Sequence, residues 1–192
     1  MLSRPDFPTR LSEFQVVSRP TARTLQKSEA NDVDPSVDPE VSPDDWLESA
    51  RHVLAASAIV TREKALVLIK FDGERCNGNL YTVDIDGSGN GLLDFRQETS
   101  DLSGAVLKAF PLETESDESE AEMLAAVLRK WDAWARAGFV LGLQIFWNGE
   151  TTFYSVFILG EHGMFERIGL RDSELLGVML ESVRQFEARM DG

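Results

Sequence analysis

Residues 139–159 read FVLGLQIFWNGETTFYSVFIL. Two apolar, β-branched and aromatic runs flank Asn148-Gly149, the dipeptide that type I′ turns favour because both central residues need positive φ. A two-residue loop sets Trp147 opposite Glu150, Ile145 opposite Thr152, Leu143 opposite Tyr154, Leu141 opposite Val156 and Phe139 opposite Ile158. The alternate positions then pair Val140 with Phe157, Gly142 with Ser155, Gln144 with Phe153 and Phe146 with Thr151. The first face is mostly apolar and the second mixed, the pattern of an antiparallel hairpin with one face on a core.

The neighbouring elements follow from periodicity and punctuation. After a turn at 160–163, residues 164–170 supply another strand. Asp172 or Ser173 caps a last helix that turns Leu176, Met179, Leu180, Val183 and Phe186 inward. Before the hairpin, Ser119-x-x-Glu122 forms a capping box. It opens a helix with Leu124, Val127, Leu128, Trp131, Trp134 and Ala135 on one stripe, which Gly138 ends. Further back, Ala65–Phe71, Leu80–Ile85 and Leu92–Arg96 read as a three-stranded meander. Ser100-Asp101-Leu102 then starts a short helix that Pro111 stops after Phe110. Ser42, Pro43, Asp44 and Asp45 are a helix start, predicting a first helix over about 43–58. The order α-βββ-α-α-βββ-α groups strands in hairpins, which predicts an α+β fold. Its sheet is mainly antiparallel, of about six strands, with helices packed on one face. No internal repeat shows at a fixed period.

The chain has 192 residues, 43% of them hydrophobic, enough for one domain with a core. Six of seven prolines lie in residues 1–43, where apolar residues are sparse. Residues 1–41 therefore read as a flexible tail, basic at first and then acidic, and 42–192 as a single α+β domain. Asp and Glu number 33 against 19 Lys and Arg, a formal charge of −14. That composition disfavours nucleic acid and anionic membranes as partners. No run is long and apolar enough for a spanning helix, and no secretory h-region opens the chain, so the expected location is cytoplasmic. The acids are concentrated: seven lie in 28–45 and six in 113–122, namely Glu113, Glu115, Asp117, Glu118, Glu120 and Glu122. Concentrated negative potential speeds encounter with a basic partner.

Catalytic signatures are weak. Asp84-x-Asp86-x-Ser88-Gly89 resembles the start of a calcium loop, but Phe95 stands where the bidentate Glu belongs. His52 and His162 have no second His at ligand spacing. Cys76 beside Arg75 lacks a partner base. There is no P-loop, dinucleotide fingerprint or serine elbow. The expectation is no cofactor, no metal and no catalytic residue. The partner surface is expected to comprise the acidic segment 113–122 and the mixed sheet face around Gln144, Phe146, Phe153 and Phe157. The rival reading is a metal-dependent hydrolase built on Asp72, Glu74, Asp84 and Asp86.

Phe71-Asp-Gly-Glu-Arg75, Tyr81-Thr-Val-Asp-Ile85 and Ser100-Asp-Leu-Ser-Gly-Ala-Val-Leu-Lys-Ala-Phe110 together resemble small bacterial toxin-immunity proteins. That resemblance implies an antitoxin-like inhibitor that binds a cognate basic secreted toxin or effector, and it carries over no binding residues. The element order is also similar to class I type III secretion chaperones, from which the chain departs in its tail and its extra helix at 119–137. Either resemblance implies a non-catalytic protein-binding module.

Overall fold

The computed structural model describes residues 42–75, 78–87, 94–112, 117–160 and 168–191. The tail 1–41, Cys76, Ser88 and Gly89, Glu113, Glu115, His162 and the first part of the 164–170 strand lie outside them.

The elements are α1 (Pro43–Glu63), β1 (Leu66–Asp72), β2 (Tyr81–Asp86), β3 (Phe95–Thr99), α2 (Leu102–Ala109), α3 (Glu118–Arg136), β4 (Val140–Trp147), β5 (Thr152–Leu159), β6 (Ile168–Asp172) and α4 (Leu175–Met190). Every strand pair is antiparallel, and the sheet order is β3-β2-β1-β4-β5-β6. The chain therefore has the α+β fold its strand grouping predicts. Alternate strand residues point to opposite faces. Val67, Ile69 and Phe71 with Leu141, Leu143 and Ile145 fill the helix-facing side and are buried with the inner faces of the four helices.

The hairpin differs from expectation in register. Trp147 faces Thr152, Ile145 faces Tyr154 and Phe146 faces Phe153, a slip of two residues. Asn148 is the cause: its Oδ1 accepts hydrogen bonds from the backbone N–H of Glu150 (3.0 Å) and Thr151 (2.9 Å). Those two residues then belong to a four-residue loop. A slip of two preserves the side-chain parity, so the apolar and mixed faces survive.

Other boundaries also move. α1 continues to Glu63, since Ile59 and Val60 are still buried, and Lys64 takes the left-handed conformation (φ 57°) that ends it. The third strand extends over Phe95–Thr99, with Leu92 and Leu93 of the expected Leu92–Arg96 outside the described residues, and Arg96 and Glu98 pair with Asp84 and Arg75. α3 is capped by Asp117, not Ser119: the Asp117 carboxylate accepts from the N–H of Ser119 and Glu120. A carboxylate there also suits the helix dipole. Gly138 (φ 97°) ends α3 as expected. In α4, Leu180 faces solvent and not the core, being 44% exposed.

The fold repeats although the sequence shows no fixed period. The sheet order reads alike from either edge, and α1-βββ-α2 is followed by α3-βββ-α4. Tyr81, Val83 and Ile85 of β2 match Tyr154, Val156 and Ile158 of β5. Ser100-Asp-Leu-Ser-Gly-Ala-Val-Leu107 matches Ser173-Glu-Leu-Leu-Gly-Val-Met-Leu180, and buried Leu102, Ala105 and Val106 correspond to buried Leu175, Val178 and Met179. Polar contacts repeat as well. The Tyr81 hydroxyl donates to Asp132 of α3 at 2.6 Å, and the Tyr154 hydroxyl donates to Ser57 of α1 at 2.8 Å. Each half thus reaches to the first helix of the other. The offset is 75 from Ser57 to Asp132 and 73 from Tyr81 to Tyr154. A drifting offset with only core positions retained leaves no fixed period to find.

Close approach makes one glycine critical. A Cβ on Gly73 meets the Ala135 carbonyl oxygen at 2.0 Å and the Phe139 carbonyl oxygen at 2.6 Å, whereas a Cβ on Gly169 meets nothing within 4 Å. Gly73→Ala is expected to cost at least about 1–3 kcal/mol, the range for overpacking, and Gly169→Ala to stay within about 0.5 kcal/mol. Urea unfolding midpoints of the two variants check this.

Candidate functional site

The outer face of the sheet bears no helix among the described residues. Its two halves have different chemistry. On β1–β3 the outward positions form an alternating chain of charges. Lys70 Nζ lies 2.7 Å and Arg75 Nε 2.8 Å from the Asp72 carboxylate. Arg75 and Arg96 each lie 2.9 Å from Glu98, and Arg96 is 3.3 Å from Asp84. Burial opposes ionisation of Asp72, only 6% exposed, but hydrogen bonds and charge from Lys70 and Arg75 outweigh it and hold the carboxyl below its ordinary range. Arg96 and Arg75 likewise lower Glu98. Asp84 is pushed up by burial, with the Asp86 and Asp94 carboxylates adding to the effect against Arg96.

This disposition bears on the hydrolase reading. Asp72 and Asp84 point their charge at arginine and lysine, and among the described residues no three His, Cys, Asp or Glu side chains converge as a metal would require. His52 is buried and ties α1 to the end of α2: Nδ1 lies 2.6 Å from the Phe110 carbonyl and Nε2 3.2 Å from Glu48.

On β4–β6 the same outward face carries Gln144, Phe146, Phe153 and Phe157, so the structure brings together all four residues proposed from the pattern. All four are half-buried. Phe146 and Phe153 stack across the strands at 6.1 Å, and the Arg171 guanidinium lies 4.6 Å and 5.0 Å from their ring centroids. The Phe157 ring lies against Gly142, within 2.1 Å of where a Cβ would stand. Leu66 and Leu68 of β1 extend the patch. Sequence reading missed Arg171 and these leucines, because their neighbours across the sheet are set by pairing between distant segments.

The acidic segment has several roles. Asp117 is a helix cap, and Glu118 receives Arg51 Nη2 at 2.7 Å and 2.8 Å, joining α3 to α1. Glu120 and Glu122 are exposed on the first turns of α3. Beside them a groove of about 690 Å³ runs between α1, the start of α3 and the start of α4, with the Tyr154 hydroxyl and Ser57 among its lining groups. Sequence reading did not anticipate it, since no single element forms it.

Asp72 supplies a pH test. Its folded-state pKa is depressed, so its contribution is present above the ordinary carboxylate pKa and is lost as pH falls through the lower folded value. Asp72→Asn is expected to lower stability by about 1.5–3 kcal/mol near neutrality. The difference from the unmodified protein should narrow below the ordinary carboxylate value of 3.8. Chemical unfolding of both proteins at neutral pH and near pH 3 reads the two gaps.

Compared with protein-family models, curated proteins and solved structures, the chain matches none.

Proposed function

We propose that the chain is a non-catalytic protein-binding module of immunity type, which engages a basic cognate toxin or effector through the outer face of its sheet. The carrying observation is the patch of Phe146, Phe153 and Phe157 with Leu66 and Leu68, on a face that no described helix covers. Aromatic side chains with an arginine among them are the composition that concentrates binding energy at interfaces. The net charge of −14 supports a basic partner, drawn in by long-range attraction before the apolar patch makes contact.

The test is direct binding of the purified full chain to the basic secreted protein encoded beside it. Phe153→Ala with Phe157→Ala is expected to raise Kd at least tenfold with an unchanged circular dichroism spectrum. Glu122→Lys is expected to slow association and flatten its salt dependence while leaving dissociation nearly unchanged. Glu122 is preferable to Asp117 or Glu118 here, since those two also hold α3 in place. No saturable binding to that neighbour, or full affinity in the double phenylalanine variant, would overturn the reading.

A further inference from the structure

The groove on the helix side of the sheet is a second surface, separate from the outer face. Its apolar lining comes from three helices: Leu54, Ala55 and Ala58 of α1, Met123 of α3, and Leu176 and Leu180 of α4. Met123 is 40% and Leu180 44% exposed, while Leu54 and Leu176 are half-buried. Asp117, Glu120 and Glu174 stand on its rim. Among the described residues the cation at the rim is Arg51, which is held by Glu48 and Glu118. The lining is therefore more apolar than polar, with the Tyr154 hydroxyl and Ser57 within it, and its border is negative.

The equivalent surface around Tyr81 differs from this lining at several positions. Each helix pair has an equivalent in the other half, fixed by the exchanged tyrosine bonds and the buried positions. Leu54 corresponds to Arg129, Ala55 to Lys130, Met123 to Glu48, and Leu176 to Ser103. The equivalent surface, on α3, α1 and α2, carries charged and polar residues at these positions. Leu54 and Leu176 also pack against the core and Leu180 keeps its leucine as Leu107, whereas Met123, 40% exposed where Glu48 stands in the other copy, has no such role.

We infer that the groove between α1, α3 and α4 docks a basic amphipathic helix of a partner protein. An apolar stripe at helical spacing would lie on Leu54, Met123, Leu176 and Leu180, and flanking Lys or Arg would meet Glu120 and Glu174. The flexible Met123 side chain adapts to the apolar groups presented to it. Charge complementarity between the acidic border and flanking Lys or Arg selects a basic ligand over a neutral one.

The experiment titrates the full chain against a fluorescently labelled 18-residue model helix with leucines on one face and lysines on the other. A peptide of the same composition in scrambled order is the control. Saturable binding to the amphipathic peptide is expected, at least tenfold tighter than to the scrambled one. Ala58→Arg, which fills the groove from an exposed position, should weaken it at least tenfold, and Glu120→Lys at least threefold. Phe153→Ala, on the other face, should leave it unchanged. Equal affinity for both peptides, no saturable binding, or binding that survives Ala58→Arg would overturn the inference. None of these outcomes depends on whether the outer sheet face binds a toxin.

Discussion

The pairing of β1 with β4 holds the molecule together. Seven residue pairs, Leu66↔Phe146 to Asp72↔Val140, join segments that belong to different halves of the chain. On the helix side these strands contribute Val67, Ile69, Phe71, Leu141, Leu143 and Ile145, none more than 1% exposed. Burying each such side chain is worth about 1.5–3 kcal/mol. Phe71 also meets Tyr81 and Trp131 edge-on at 5.2 Å and 5.7 Å, which connects the sheet centre to α3. Tyr81 and Tyr154 then fasten each half to the other's first helix. The buried residues of both halves form one continuous core.

Much of this was legible in the residues. Element types, the antiparallel class and the side-chain parity of β2, β4 and β5 follow from alternation and from punctuation by glycine, proline and asparagine. What was hidden has a common cause: it depends on contacts between segments far apart in sequence, or on a side chain competing with the backbone. The Asn148 side chain takes over two backbone donors and converts a two-residue turn into a four-residue loop. Asp117 displaces Ser119 as the cap by the same kind of competition. Leu180 fits a core stripe by spacing alone, yet in α4 it falls beside the groove. The pairing of Gln144, Phe146, Phe153 and Phe157 on one face was visible, but their neighbours Leu66, Leu68 and Arg171 come from strands whose placement local pattern does not fix.

The duplication separates what the fold needs from what it does not. Positions that face the core keep their character in both copies, as in Tyr81 and Tyr154, Val83 and Val156, and Leu102 and Leu175. Positions on the outer face do not. Asp72 corresponds to Phe146 and Asp84 to Phe157, so one copy has an ion-pair chain where the other has aromatic rings. The ion pairs satisfy one another and leave that half of the face close to neutral. The rings leave apolar surface that water covers poorly. The two halves of a single sheet face are thus unequal, one charged and paired, the other aromatic.

The same comparison clarifies the acidic residues. Seen as composition, six carboxylates in ten residues look like one feature. The four among the described residues divide by partner: Asp117 binds backbone amides, Glu118 binds Arg51, and Glu120 and Glu122 face solvent at the start of α3. A charge already held by an arginine contributes little field at a distance, because the pair is nearly a dipole. Carboxylates without such a partner do project a field, and Glu120 projects it beside an apolar trough. Attraction there acts before contact and burial acts after it, so approach and retention of a basic helix depend on different groups and respond separately to salt.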